Sequence, residues 1–120
     1  MWIYSQSRGD LWHDQDLVGT GYAGSGNGKN NPAMQFQQNV GPLPVGMYSI
    51  RPAVRHPRLG IVAMPLEPAP GTILFGRSGF YIHGDSQSHP GEASTGCIVL
   101  DYALRLTIAV SSDRTLKVIP

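Results

Sequence analysis

The sequence predicts a mainly β protein, a small sandwich- or barrel-like single domain with one or two short helices. Three observations carry that expectation. A chain of 120 residues has room for one modest core, and no internal repeat or composition shift divides it, so residues 1–120 read as one domain. Glycine and proline supply 15 and 10 residues, rich in turns yet below the roughly 25–30% typical of disordered chains. The apolar residues fall in short runs that alternate or stop at Gly and Pro, as strands do.

In chain order, "WIYSQSRGDLWH" reads as a hairpin, two aromatic-rich runs around Ser7, Arg8, Gly9 and Asp10. "GTGYAGSGNGKNNP" is polar and glycine-dense, so extended structure is not expected to persist there. Asn31 before Pro32 has the form of an N-cap with proline at the first helical position, which predicts a short helix over "PAMQFQQNV". After proline turns, Val45, Met47 and Tyr48 to Ile50 form a strand pattern. "RHPRLGIVAMPLEPAPG" is broken by prolines around one short strand, Gly60 to Met64, and "TILFGRSGFYIHGD" predicts two more around a Gly76–Gly79 turn. Leu104 and Ile108 stand at helical spacing behind Asp101, a residue suited to cap a helix, and "TLKVIP" alternates as the last strand.

Charge and apolar runs exclude several classes. The net charge is +1 and the pI about 8.0, which favours neither a nucleic-acid partner nor an acidic tail. No apolar run approaches the roughly 18–20 residues of a membrane helix. The first residues, "MWIYSQSRGD", lack the basic and apolar regions of a secretory signal, so none is expected. One cysteine rules out an internal disulfide and leaves the core to hold without staples.

That cysteine, Cys97, lies in "HGDSQSHPGEASTGCIVL" and is the candidate for chemistry. A thiolate is the reactive form, and a free cysteine, with a pKa near 8.5, needs a base or cation beside it. His83 follows the strand-like "FYI" and precedes Gly84, which puts its imidazole at a strand tip. Cys97 follows Gly96 and precedes "IVL", where a tight turn enters buried structure. Gly96 allows a backbone N–H to approach a substrate carbonyl, as an oxyanion hole requires. On composition alone a lone cysteine is more often a buried small apolar residue. His13, His56 and His89 read as surface or turn residues, although His89 is a rival base held in a loop by Pro90. Asp85 suits a turn hydrogen bond as well as a substrate contact. A zinc site from His83, His89 and Cys97 fits none of the tight ligand spacings, so no metal or cofactor is expected.

"HGD…ASTGCIV" resembles the active-site signature of the L,D-transpeptidase (YkuD-like) catalytic domain: a His-Gly pair, a loop, then Ser/Thr-x-Gly-Cys-Ile/Val. "GPLPVGMYSI" is similar to the Pro-x-Gly-x-aromatic strand start of that family. "GYAGSGNGKNNP" and the aspartate of "HGD" resemble its compact branch, used as type VI secretion effectors against rival bacteria. The resemblance runs from about Tyr22 to the C-terminus. It implies that Cys97 attacks the carbonyl of the L,D bond between the third stem residue and D-alanine in peptidoglycan stem peptides. His83 then takes the thiol proton, the Gly84 carbonyl orients the imidazole, and the N–H groups of Gly96 and Cys97 stabilise the oxyanion. The thioester would pass to water or to a D-amino acid as acceptor. Asp85, Ser94 and Thr95 are the motif's substrate-side candidates.

Many family members carry arginine two residues after the cysteine, where this chain has Val99. Arg77, Lys29 and Arg105 are the candidates to bind the substrate's carboxylate in its place. The absence of a wall-anchoring domain favours trimming or exchange over cross-linking. The implied partners are stem peptides, a cognate immunity protein and a secretion carrier. The carrier would deliver the chain from the producing cytoplasm to the periplasm of a target cell. Two rival classes remain, a papain- or NlpC-like cysteine peptidase and an inactive wall-binding module. The first places its cysteine before its histidine, the reverse of the order here, and the second predicts a missing nucleophile or base.

Overall fold

The computed structural model describes residues 1–120. The fold is mainly β: β1 (Trp2–Ser5), β2 (Asp10–His13), β3 (Asp16–Thr20), β4 (Tyr22–Ala23), β5 (Gly46–Ile50), β6 (Val54–His56), β7 (Gly60–Pro68), β8 (Tyr81–His83), β9 (Ile98–Val99), helix α1 (Tyr102–Val110) and β10 (Thr115–Ile119). The strand order is β3-β2-β1-β10-β5-β7-β8-β9-β4, with β6 added to β7. All pairs are antiparallel except β1 with β10 and β8 with β9.

β3 and β4 stand at opposite ends of that order, yet only Gly21 separates them in the chain. The two ends must therefore meet, and the sheet curls into a nearly closed barrel. Gly21 sits at the seam. Its N–H donates to Gly9 O at 2.8 Å, beside β2, while a Cβ on it would lie 2.0 Å from Val99 O on β9. No side chain fits between the two edges.

Alternation fills the barrel. Trp2 and Tyr4 of β1, Leu116 and Val118 of β10 and Tyr48 and Ile50 of β5 point inward, joined by Met64, Ile82, Ile98 and Ile108 in one buried cluster. Asp101 caps α1 by accepting from Leu104 N–H at 2.8 Å, and the helix lies over β7 with Ile108 inward.

Four expectations change. The "PAMQFQQNV" segment forms one 3-10 turn, Pro32–Met34, although Asn31 does cap it. None of residues 32–39 is buried, so no apolar face holds a longer helix. The glycine-dense stretch contributes strand after all, β4, because the seam needs it. Only one strand, β8, comes from "TILFGRSGFYIHGD": both edges of β7 facing that segment are taken by β5 and β8, leaving Ile73 and Phe75 exposed. β7 runs on to Pro68 because it pairs successively with β6, β8 and β5. Where it changes partner, Val62 adopts a φ of 52°, a costly conformation for a β-branched residue.

Candidate active site

β8 and β9 lie parallel and adjacent, with Ile82 opposite Ile98 and His83 opposite Val99. A parallel pair needs a crossover, and residues 84–97 supply it as a loop. The pairing returns the chain so that Cys97, just ahead of β9, stands beside Tyr81 and near His83 at the end of β8. Ile82 and Ile98 are fully buried in the barrel. Alternation turns Tyr81 and His83 to the other face. Cys97 opens on that side too: Tyr81 N–H donates to its Sγ at 3.3 Å, and the thiol contacts Gly79 O at 3.9 Å. His83 is not among the hydrogen-bond partners of the thiol.

The imidazole of His83 is buried and its tautomer is set. Nδ1 lies 2.8 Å from Gly84 O, and a carbonyl only accepts, so Nδ1 carries the proton and Nε2 is left as the acceptor. Burial lowers its pKa below the ordinary 6.5, against the pull of the Gly84 carbonyl, and the Arg105 charge lowers it further. Burial also raises the Cys97 thiol above its ordinary value, partly offset by the Tyr81 N–H and the Arg77 charge. Near neutral pH both groups are therefore uncharged. This pair suits proton transfer during attack rather than a standing thiolate–imidazolium pair.

The turn before Cys97 is built around Ser94. Its buried Oγ donates to Cys97 O at 2.6 Å and accepts from Gly24 N–H at 2.9 Å and Gly96 N–H at 3.0 Å. Ser94 is thus a strut rather than a substrate contact. The Gly96 N–H, expected to face an oxyanion, is already used by that hydroxyl, whereas no carbonyl accepts from Cys97 N–H. Gly96 has a φ of 149°, and a Cβ there would stand 2.5 Å from Arg77 Nη2. Glycine is obligatory for that reason. Thr95 is exposed beside Cys97, with only its carbonyl engaged, by Arg77 at 3.3 Å.

The three cations expected to hold a carboxylate are occupied elsewhere. Buried Arg77 donates to the carbonyls of Gln35, Pro42, Gly41 and Thr95, tying residues 35–42 to the cysteine turn. Arg105 donates to Leu100 O and to Ile61 O and Val62 O, bracing the strained bend of β7. Its Nη2 would stand 2.7 Å from a Cβ at position 84, which is why glycine follows His83. Lys29 donates to Gly91 O at 3.0 Å and lies over the Tyr22 ring. Unpaired main-chain carbonyls in these short-stranded regions draw the cations in.

Asp85 holds the crossover loop. Its carboxylate accepts from the Tyr22 hydroxyl at 2.6 Å and from the N–H groups of Ser86 and Gly91. Burial alone would raise its carboxyl, but the bonds from Tyr22, Gly91 and Ser86 and the Lys29 charge together outweigh it and keep the carboxyl below the ordinary range. Burial and Asp85 together push the Tyr22 phenol up to about 12, so it remains a donor. His89, on the same loop, is exposed and bonded to Ser88 Oγ at 3.0 Å.

Three depressions meet here. A small one of about 80 Å³ runs from Arg77 to Cys97. It shares Gly79, Thr95 and Cys97 with a second, of about 240 Å³, that is also walled by His56, Arg58 and Tyr81. Arg58 and Leu59 divide that cleft from a third, of about 440 Å³, bordered by His83, Gly84, Asp85 and His89. Neither His56 nor Arg58 is among the candidates the sequence offers, where both read as parts of a turn. "RHPRLG" signals a hairpin turn through Pro57 and Gly60, but which part of the molecule that turn faces is a long-range matter.

A family model described as the Tlde1 domain matches residues 18–119, most of the chain. No curated protein matches it.

Proposed function

The chain belongs to the Tlde1 domain family, a family of type VI secretion effectors, and we propose that it acts as a cysteine acyl-transfer enzyme on the cell wall of a rival bacterium. The observation that supports this most is the His83–Cys97 arrangement. A base-competent imidazole, its Nδ1 on the Gly84 carbonyl, shares one face of two parallel strand ends with the chain's single thiol. The site is flanked by clefts that leave Cys97 reachable.

In the proposed reaction Sγ attacks the carbonyl carbon of the L,D bond in a tetrapeptide stem as its proton passes to His83 Nε2. The carbonyl electron pair moves to oxygen, where the Cys97 N–H, which no carbonyl holds, is the backbone donor available beside the thiol. Collapse of the tetrahedral adduct expels the D-alanine amine, which takes the proton from His83, and leaves a thioester on Cys97. Water then gives a tripeptide stem, the L,D-carboxypeptidase outcome. The amine of another D-amino acid gives exchange, the L,D-transpeptidase outcome.

Incubation with purified tetrapeptide muropeptides, followed by mass analysis, tests the reading. Tripeptide or exchanged products are expected from the native protein and none from Cys97→Ala. A carbapenem should leave a stable adduct on Cys97. Lack of turnover by the native protein would leave a wall-binding role instead.

A further inference from the structure

A tetrapeptide stem ends in a free carboxylate one residue beyond the bond to be cut. One residue spans at most about 3.6 Å, so a cation that recognises this carboxylate must border the nucleophile's own cleft. Arg77 borders the small depression, but four carbonyls already hold its two terminal nitrogens. Arg58 borders both larger clefts, the one beside Cys97 and the one beside His83. Its guanidinium is exposed and makes no hydrogen bond or ion pair within the chain.

Beside it stands His56. Its Nδ1 accepts from the N–H groups of Arg58 and Leu59, each at 3.1 Å, so that nitrogen carries no proton. The neutral ring must then be protonated at Nε2. With its edge against Tyr81, 5.2 Å between centroids, the ring is a donor held at the wall of the Cys97 cleft. The turn carrying both residues is stiffened by Pro57, by the two bonds to Nδ1, and at its base by Arg105 on the Ile61 and Val62 carbonyls. Two donors on a braced turn, one fully charged, suit a carboxylate that arrives from solvent.

We propose that the β6–β7 turn, through the Arg58 guanidinium and the His56 Nε2–H, recognises the free C-terminal carboxylate of the stem peptide and so restricts the enzyme to the last residue of the stem. The inference rests on the acyl-transfer reading above. It supplies the carboxylate-binding role that Arg77, Lys29 and Arg105 do not fill.

The test compares two substrates that differ in one group, a tetrapeptide stem ending in D-alanine and the same stem ending in D-alaninamide. The native protein should prefer the acid in kcat/KM, by about ten- to a hundredfold, the range of one or two charge-assisted hydrogen bonds at a wet site. Arg58→Ala should bring that preference close to one, and Arg58→Lys should restore part of it. His56→Asn keeps an acceptor for the turn through Oδ1 but has no donor that reaches the Nε2 position, and should lower the preference by a smaller factor. Retention of the native preference in Arg58→Ala or in His56→Asn overturns the two-donor site, even if overall turnover has fallen. Turnover of both stems by the native protein with no preference overturns it too, while leaving acyl transfer standing. If the native protein turns over neither stem, the acyl-transfer reading fails and this inference fails with it.

Discussion

The two ends of the sheet are held together by different means. In β2, β1, β10 and β5, strands of four or five residues pair over nearly their full length, and Trp2, Tyr4, Leu11, Tyr48 and Leu116 bury large side chains between them. At the other end β8, β9 and β4 have three, two and two residues. So little ladder leaves main-chain groups over, and side chains take them up: Ser94 under the cysteine turn, Arg77 across four carbonyls, Arg105 under the bend of β7, and Tyr22 with Asp85 on the crossover loop. One end is a packed scaffold. The other is a frame of side-chain-to-backbone bonds around a thiol and an imidazole, where geometry can be altered one bond at a time.

That contrast predicts a separation of effects. The largest is on chemistry alone: Cys97→Ala should abolish muropeptide turnover, yet shift the melting temperature little, since it removes one small half-buried side chain. His83→Ala should lower the rate by about 10² to 10⁴, and His89→Ala, on the exposed loop, should change it little. A reversed ranking in steady-state assays would move the base to the loop. Leu116→Ala, in the scaffold, should cost about 2–5 kcal/mol in denaturant unfolding, while activity per folded molecule stays near native below the transition. Gly96→Ala should do the opposite in proportion. Its Cβ meets Arg77 at a strained φ, so at least about 1 kcal/mol of stability goes, accompanied by most of the activity. Equal activity losses per folded molecule in these two variants would erase the distinction between the ends.

Smaller effects sharpen it. Tyr22→Phe removes the hydroxyl that joins Asp85 to Ala93 N–H, at a cost of about 1 kcal/mol. Amide exchange should quicken in residues 85–93 and remain native in β1 and β10. The smallest effect is in pH. Because burial and Arg105 hold His83 below 6.5, the base stays unprotonated at neutral pH, and kcat/KM should begin to fall only as pH drops below that value. Because the thiol is raised, alkylation of Cys97 by iodoacetamide should keep accelerating as pH rises through 9.0. A plateau of the alkylation rate near neutrality would instead reveal a standing thiolate.

The scaffold was largely legible in the residues, and the site only partly. Trp2–His13 announces its hairpin through alternation around turn residues, Asp101 caps its helix, and Thr115–Ile119 alternates as a strand should. These signals are local. So is the identity of Cys97 and His83, one thiol after glycine and one histidine at a strand tip. The roles of cations were not legible, because an arginine reads the same whether it meets four carbonyls or none. Arg77, Lys29 and Arg105 were plausible carboxylate ligands until the fold supplied nearer acceptors, and Ser94 was a plausible contact until its hydroxyl proved to hold the turn.

By itself, then, the sequence determined the class of fold, the strands with clear alternation and the cap of α1, and it named Cys97 and His83 as the candidates for chemistry. Periodicity, turn chemistry and residue type act over a few neighbouring positions and need no partner. The tertiary structure alone decided that β3 runs through Gly21 into β4 and closes the sheet, that β7 is shared among three strands, and that the Gly96 N–H is spoken for. It also decided that the turn bearing His56 and Arg58 lies over the clefts beside Cys97 and His83. Each of these depends on which unpaired main-chain group or edge lies closest across the barrel, and that distance is set by the pairing of segments far apart in the chain.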